Sequence, residues 1–268
     1  MKNKKELGQH WLYNRIILDK IADYAANRGQ GGAVDFSDRG QGSAVQDSAK
    51  KGFCLEIGPG LGTLTASLLK RFEKVLAVEF DADLARKLPG SFPGTNLEVV
   101  QADFLQFDLN LVPSPYAVAG NIPYYITSPI IEKLIMAENR PERVVLLMQK
   151  EVCERIVSEK ESVLSLTVKN RARVLAGPVV LREEFTPPPK VDSQILILEP
   201  KAPEVSEAVI KFIRVAFAAP RKKLAHNLAV LKPKEKVLGS MKELGISPDA
   251  RPADLHLEDY RRLFESML

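Results

Sequence analysis

The chain has 268 residues, 45% hydrophobic and 27% charged, with a formal net charge of +4. These proportions suit a soluble globular protein with room for one large core and a smaller appended one. They exclude a membrane-embedded chain, because no stretch approaches the roughly 20 apolar residues of a span. The polar, Lys-containing start is not a secretory signal, so a cytoplasmic protein is expected. Cys54 and Cys153 stand far apart, with no second Cys or His at ligand spacing. Buried reduced thiols are expected from them, and neither a disulfide nor a metal site.

Asn14 to Ala26 places Ile16, Ile17, Ile21 and Tyr24 at helical spacing and predicts an amphipathic helix. Residues 28 to 50 are rich in Gly, Ser, Gln and Asp and repeat Arg-Gly-Gln-Gly, which predicts a mobile loop. From Phe53 the pattern changes to short apolar runs, Phe53 to Ile57, Lys74 to Glu79, Leu97 to Gln101, Tyr116 to Gly120 and Val144 to Gln149. Runs of this length and apolarity predict parallel strands buried on both faces. Leu61 to Arg71, Ala82 to Leu88 and Pro129 to Ala137 read as the crossover helices between them. The result is an α/β, doubly wound sheet whose ligands lie beyond the carboxyl ends of its strands. Two more strands, near Ala172 to Leu181 and Gln194 to Leu198, are expected to complete the sheet edge.

After Pro200 the sequence turns helical, with segments near Val205 to Phe217, Arg221 to Leu231, Lys234 to Leu244 and Leu257 to Met267. Residues 1 to 200 are therefore expected to form one domain, and 201 to 268 a small α-helical one. Lys211, Arg214, Arg221, Lys222, Lys223, Lys232, Lys234 and Lys236 face only Glu235 within residues 211 to 236. Such a concentration is a candidate phosphate-binding surface, although a charge run also forms an ordinary solvated face. Lys2, Lys4 and Lys5 form a second basic patch.

The chemistry-bearing residues cluster at predicted strand ends. Phe53 to Ile57 runs into Gly58-Pro59-Gly60-Leu61-Gly62, and glycines let a cofactor approach the backbone closely. The spacing departs from the Gly-x-Gly-x-x-Gly of dinucleotide binders. With Glu56 before it, the turn points to S-adenosylmethionine (SAM). Glu79 ends the second run, about 20 residues beyond the first glycine, where a carboxylate can take both ribose hydroxyls. Asp103 follows the third, placed to accept the N6–H of the cofactor's adenine, with Phe104 packing on a ring face. Acids at such positions also serve as helix N-caps.

The fourth run ends at Asn121-Ile122-Pro123-Tyr124. An Asn oxygen and a backbone carbonyl can each accept one N–H of an exocyclic amine while an aromatic ring stacks on the base. Pro123 fixes the turn that presents them. The same four residues also make an ordinary strand-to-loop turn, and it is their place beside the glycine turn that favours amino methylation.

The motifs Leu7-Gly8-Gln9-His10-Trp11-Leu12, Glu56 to Thr65, Asn121 to Ile126 and Phe185-Thr186-Pro187-Pro188-Pro189-Lys190-Val191-Asp192-Ser193 stand in the order of a known family. Across nearly its whole length the chain resembles the ribosomal RNA adenine N6-dimethyltransferases of the KsgA type. The resemblance implies a Rossmann-like class I SAM-dependent methyltransferase sheet with a helical RNA-binding domain. It implies that His10 and Leu12 line the cofactor pocket with Gly58, Gly60, Glu79, Asp103 and Asn121. It also implies that the target adenine lies between Tyr124 and Phe185, its amino group gripped by Asn121 and the Ile122 carbonyl. Read from residue usage alone, Phe185 is a core aromatic and His10 a surface residue.

Arg221 to Leu228 resembles the family's basic, RNA-contacting helix. Two departures stand out: residues 28 to 50 are longer than the usual connection, and Ala219-Pro220 replaces a commonly basic or polar pair. The implied activity is dimethylation of two adjacent adenines in the 3′-terminal hairpin loop of 16S rRNA, in the immature 30S subunit. A monomer is expected, since nothing suggests a self-association motif. The alternatives are the 23S rRNA methyltransferases of the macrolide-resistance type and a non-catalytic ribosome assembly factor.

Overall fold

The computed structural model describes residues 10–27 and 49–268. Lys2, Lys4, Lys5, Leu7 to Gln9 and nearly all of the stretch at 28 to 50 lie outside the described residues. By contacts the chain divides into two units. One holds residues up to Cys153 together with Arg173–Pro200, and the other holds Glu154–Ala172 with Lys201–Leu268. One passage falls at Pro200, where the sequence changes character. The detour of 154–172 into the second unit has no counterpart in the sequence pattern.

The first unit opens with a two-residue strand, β1 (Trp11–Leu12), and helix α1 (Arg15–Ala25). Asn14 caps α1, its side-chain oxygen accepting from the Ile16 and Ile17 N–H groups. The cap satisfies donors that the first helical turn leaves open. Ile17, Leu18, Ile21, Ala22, Tyr24 and Ala25 are the buried face, whereas Ile16 is 71% exposed and lies off it.

Then follow β2 (Lys51–Ile57), α2 (Thr63–Leu68), β3 (Phe72–Glu79), α3 (Ala82–Lys87), β4 (Leu97–Gln101) and β5 (Tyr116–Asn121). After them come α4 (Thr127–Met136), β6 (Arg143–Gln149) and α5 (Lys150–Val157), within which the chain leaves this unit. In the second unit it forms α6 (Val163–Arg171) before returning as β7 (Ala172–Val180), β8 (Phe185–Thr186) and β9 (Ser193–Pro200). Seven strands form one sheet in the order β4-β3-β2-β5-β6-β9-β7. The pairs among β4, β3, β2, β5 and β6 are parallel, and β9 runs antiparallel to β6. Leu55, Val75, Ala77, Val118, Val145 and Leu147 are wholly buried, as continuous apolar runs require when both faces are covered. Each large apolar side chain removed from water in this way contributes about 1.5–3 kcal/mol.

Successive strands go from β2 outward to β3 and β4, then β5 returns to the other side of β2. That reversal opens a crevice at the carboxyl ends of β2 and β5. Register places Ile57 opposite Gly120, so Gly58 and Asn121 leave the sheet side by side. Helices α1 and α2 are tied by Arg71, which lies just past α2. Its guanidinium donates to both Asp23 carboxylate oxygens, at 2.6 and 3.0 Å, and to Asp19 at 2.9 Å. A planar fork matched to a carboxylate in this way fixes orientation as well as distance.

In the second unit α6 is joined by α7 (Glu207–Ala216), α8 (Leu224–Leu228), α9 (Lys234–Glu243) and α10 (Leu257–Ser266). Phe212 meets Tyr260 and Phe264 edge-on, with centroids 6.4 and 5.5 Å apart. Glu161, buried ahead of α6, accepts from Lys169 at 2.7 Å and Ser165 at 2.6 Å and contacts His256 at 3.1 Å. Three partners satisfy a carboxylate that burial would otherwise penalise. They also fasten the 154–172 segment to the residues that open α10.

Candidate active site

A cleft of about 270 Å³ opens at the crevice. Among its walls are His10 with Trp11 and Leu12 of the adjoining β1, Gly58 and Gly60, Glu79 and Phe80, Asp103 and Phe104, and Asn121 through Ile126. The side chains that sequence places at separate strand ends are thus brought to one cavity by the parallel register.

The glycine turn is stereochemically obligatory. Gly58, Gly60 and Gly62 have φ of 63°, 56° and 82°, values that L side chains rarely adopt. A Cβ on Gly62 would also lie 2.7 Å from both Leu88 and Phe92. Glu79 locks the turn from the next strand, one carboxylate oxygen accepting from Gly60 N–H at 3.0 Å and the other from Asp81 N–H at 2.8 Å. It is 5% exposed, and burial raises its pKa despite those two bonds. The helix cap at this strand end is Asp81, whose side chain accepts from the Asp83 and Leu84 N–H groups. Asp103 is exposed at the cleft edge and accepts from Leu105 N–H at 2.9 Å.

Glu56 is 1% exposed and lines the cleft. Its Oε2 accepts from the Thr65 hydroxyl at 2.7 Å, while Oε1 has no partner. A buried carboxyl oxygen without a partner penalises the ionised form of the group.

Asn121 is the last residue of β5, and its amide nitrogen donates to the His10 carbonyl at 3.0 Å. Only the NH₂ of an amide can donate, so this bond fixes which way the group points. Oδ1 is left as the acceptor on a residue lining the cleft. The Ile122 N–H is tied to the Leu147 carbonyl at 3.2 Å, and Pro123, at φ −59°, turns the chain into a short 3₁₀ segment at Tyr124–Ile126. The Tyr124 hydroxyl pairs with the Ser193 hydroxyl at 2.7 Å, and burial raises its pKa, so the phenol is neutral. His10 stacks on Tyr124 with centroids 6.0 Å apart and planes 25° from parallel, and its Nδ1 lies 2.8 Å from the Pro187 carbonyl. His10 therefore sits in the cleft wall and not at the periphery of the sheet.

Phe185 does not join this group. Its strand β8 pairs with β1 in register Leu12 to Phe185, and the side chain is 2% exposed within the core cluster that includes Leu12 and Leu18. The reading from residue usage, a core aromatic, describes its place, and the second wall implied by the resemblance is absent from the cleft lining. Trp11, Phe80 and Tyr125 line the cleft without having been singled out. Phe80 is 59% exposed directly after Glu79, so an aromatic following a functional strand-end acid was the signal to notice. Trp11, whose indole would meet a Cβ on Gly60 at 3.4 Å, gave no comparable signal, because β1 is two residues long.

In the second unit Arg221, Lys222 and Lys223 are exposed, but they stand on the turn before α8 and not within a basic helix. Buried Asn227 clamps that turn, donating to the Ala216 and Ala219 carbonyls at 2.6 and 3.0 Å. Lys223 pairs with Asp249, whereas Arg221 and Lys222 have no ion pair among the described residues.

A doubly wound sheet, a glycine turn at its switch point and acids at the neighbouring strand ends define a Rossmann-like methyltransferase fold. The chain belongs to the ribosomal RNA adenine dimethylase family, whose model matches residues 1–268. It is 34% identical to the ribosomal RNA small subunit methyltransferase A of Mycoplasma capricolum, covering 98% of this chain and 97% of that protein. The protein of the same name from Picosynechococcus is 35% identical over 96% of this chain and 94% of its own length. Among solved structures, the 23S rRNA methyltransferase ErmE superposes with a TM-score of 0.73 at 27% identity, covering 96% of this chain and 99% of that one. A dimethyladenosine transferase from Plasmodium falciparum gives the same TM-score and identity, with 96% and 98% covered.

Proposed function

We propose that the protein is a SAM-dependent dimethyltransferase acting on N6 of two adjacent adenines in the 3′-terminal hairpin loop of 16S rRNA. It acts on the immature 30S subunit, as a monomer in the cytoplasm. The observation that carries this reading is the Asn121 amide, held by the His10 carbonyl with its acceptor oxygen free beside the glycine turn.

The cleft residues fit the cofactor on their own chemistry. Gly58 and Gly60 offer a backbone that a ligand can approach, and Glu56 offers an unfilled oxygen. Glu79 keeps lone pairs for ribose hydroxyls, Asp103 is an acceptor for an adenine amine, and His10 and Leu12 close the pocket. SAM, when bound, supplies a methyl group on a sulfonium whose departure as a neutral thioether needs no acid. Asn121 Oδ1 and the Ile122 carbonyl accept the two N6–H bonds, which draws the nitrogen lone pair out of the ring and toward the tetrahedral form that attacks. Tyr124 offers its ring face to the base, as single-stranded recognition of a flipped base requires. Alignment does most of the catalytic work, and the proton of the methylated amine leaves after transfer. Arg221 and Lys222 supply phosphate contacts.

The small-subunit names of the relatives near 34% identity favour 16S over 23S rRNA, as does Tyr124-Tyr125-Ile126-Thr127-Ser128-Pro129. The deciding experiment supplies labelled SAM with unmethylated 30S or 50S particles and maps the modified bases. Two methyl groups on each of two neighbouring 16S adenines is the expected result. Label confined to 23S rRNA would move the protein to the macrolide-resistance type, and particle binding without label would make it an assembly factor.

A further inference from the structure

Beside the ring assigned to the target base stands a second aromatic that the methyl-transfer geometry leaves unused. Of the large apolar side chains lining the cleft, Phe80 and Tyr125 are the exposed ones, at 59% and 66%. Phe80 follows Glu79, on the side given to the cofactor. Tyr125 lies on the acceptor side, directly after Tyr124 in the 3₁₀ segment Tyr124–Ile126. Tyr124 is held in place, its hydroxyl paired with Ser193 at 2.7 Å and His10 stacked on it with centroids 6.0 Å apart. That leaves one ring face for one base. The Tyr125 side chain makes no hydrogen bond or ring contact among the described residues.

Two rings sandwich a single base only when they face each other in parallel, and neighbouring positions of a 3₁₀ turn cannot do so. Three residues per turn set successive side chains about 120° apart, on Cα atoms about 3.8 Å from each other. Rings placed in this way serve two neighbouring nucleotides instead. We propose that Tyr125 is a stacking platform for the nucleotide next to the target adenine, holding the second adenine of the pair at the cleft mouth while the first occupies the site. The inference rests on the rRNA reading and deepens it by giving the two adenines separate seats. A tyrosine ring stacks on the face of any base, and covering an exposed ring removes apolar surface from water. Single-stranded RNA places its splayed bases on aromatic side chains by the same physics. The platform stands beyond the acceptors Asn121 Oδ1 and the Ile122 carbonyl, so it strengthens ground-state and transition-state binding alike. Tyr125 is thus a positioning residue.

The test is a double-mutant cycle between this side chain and the neighbouring base, read as methyl transfer from labelled SAM. Wild-type protein and Tyr125→Ala are each assayed on unmethylated 30S particles, and on reconstituted particles whose 16S rRNA carries an abasic nucleotide at each of the two adenine positions in turn. On intact particles Tyr125→Ala raises KM about tenfold, the scale of one base–aromatic stack, with kcat for the first methyl and the SAM affinity near the parent values. Tyr125→Phe keeps the parent KM, since the ring and not the hydroxyl makes the contact. At one of the two positions the abasic nucleotide costs the wild type the same tenfold on the remaining adenine and costs Tyr125→Ala nothing further. A parental KM for Tyr125→Ala, an equal loss in Tyr125→Phe, or additive losses in the cycle overturns the proposal; additive losses with a fallen kcat make Tyr125 a second wall for the target base instead. The wild-type arm needs no variant, and an unchanged KM at both abasic positions refutes the platform by itself. Absence of label from intact 30S particles with the wild type removes the rRNA reading and this inference with it, whereas label on 16S rRNA alongside any of the contrary results removes the inference alone.

Discussion

Asn121 is aimed by a carbonyl from a distant part of the chain. The His10 oxygen takes its amide N–H, so the acceptor's direction is set before any substrate arrives. Removing that acceptor by Asn121→Ala is expected to lower methyl transfer by about 100-fold, the scale seen when one preorganised polar contact to a transition state is lost. SAM affinity stays near the parent value, and labelled methyl incorporation into 30S particles alongside calorimetry checks both halves. Glu79 differs, because one of its oxygens is already bonded to Gly60 of the glycine turn and the other to the Asp81 N–H. Glu79→Ala should weaken SAM binding by more than tenfold, the cost of losing contacts to a charged acceptor, and an unchanged dissociation constant would count against its role. Glu56 makes a prediction about pH. Its pKa in the unliganded fold lies near 8 against an ordinary 4.5, so the folded state retains a proton that the unfolded chain has lost between those values. The stabilisation is complete below about 4.5 and disappears as pH rises through about 8. Urea midpoints of the unliganded wild type should therefore fall over that window relative to Glu56→Gln, with the gap between the two proteins set by pH alone.

Elements owe their positions to a few unforgiving contacts. Helix α2 can start only after Gly62 has turned the chain at a φ of 82° with Leu88 and Phe92 packed against its missing side chain. Gly62→Ala combines backbone strain with steric conflict and should destabilise the protein by about 2–3 kcal/mol. Denaturant midpoints measure this, and a loss below about 0.5 kcal/mol would mean the turn relaxes. The strand-end acids illustrate a sorting that spacing cannot do. Asp81 is the cap of α3, leaving Glu79 for the cleft, although both are acids near the same strand end. Helix α6 was not visible as an amphipathic pattern, because Leu166, Thr167, Val168 and Asn170 are buried on several sides of it and leave no polar stripe. Two-residue strands β1 and β8 are equally invisible, since alternation needs more than two positions to be read.

On the scale of the folded units, each unit has its own charge character. Among the described residues, the sheet unit's cleft is lined by no Lys or Arg, and Arg221 and Lys222 stand exposed and without ion pairs on a turn of the second unit. Replacing both by Ala should weaken rRNA binding and reduce the slope of log affinity against log salt by about 2, roughly one unit per lost phosphate contact. Filter binding across a salt series reads the slope, and the SAM affinity of the same variant should match the parent. Lys223 is a poorer candidate than its neighbours, because Asp249 already neutralises it.

The order of strands and crossover helices, the glycine turn, Glu79, Asp103 and the Asn121 to Tyr124 tetrad were all legible in the linear chain, because each depends on local spacing or on the periodicity of buried apolar runs. The meeting of these residues in one cleft followed from parallel register, which puts Gly58 beside Asn121. What spacing could not reveal depends on contacts between segments far apart in sequence. His10 joins the cleft and Phe185 leaves it because β1 and β8 pair across more than 170 residues, an arrangement that buries the aromatic side chain and turns the His10 carbonyl toward Asn121. The unpartnered oxygen of Glu56 is of the same kind: an acid before a glycine turn is plain in sequence, but only packing removes its water and leaves one oxygen with nothing to bind.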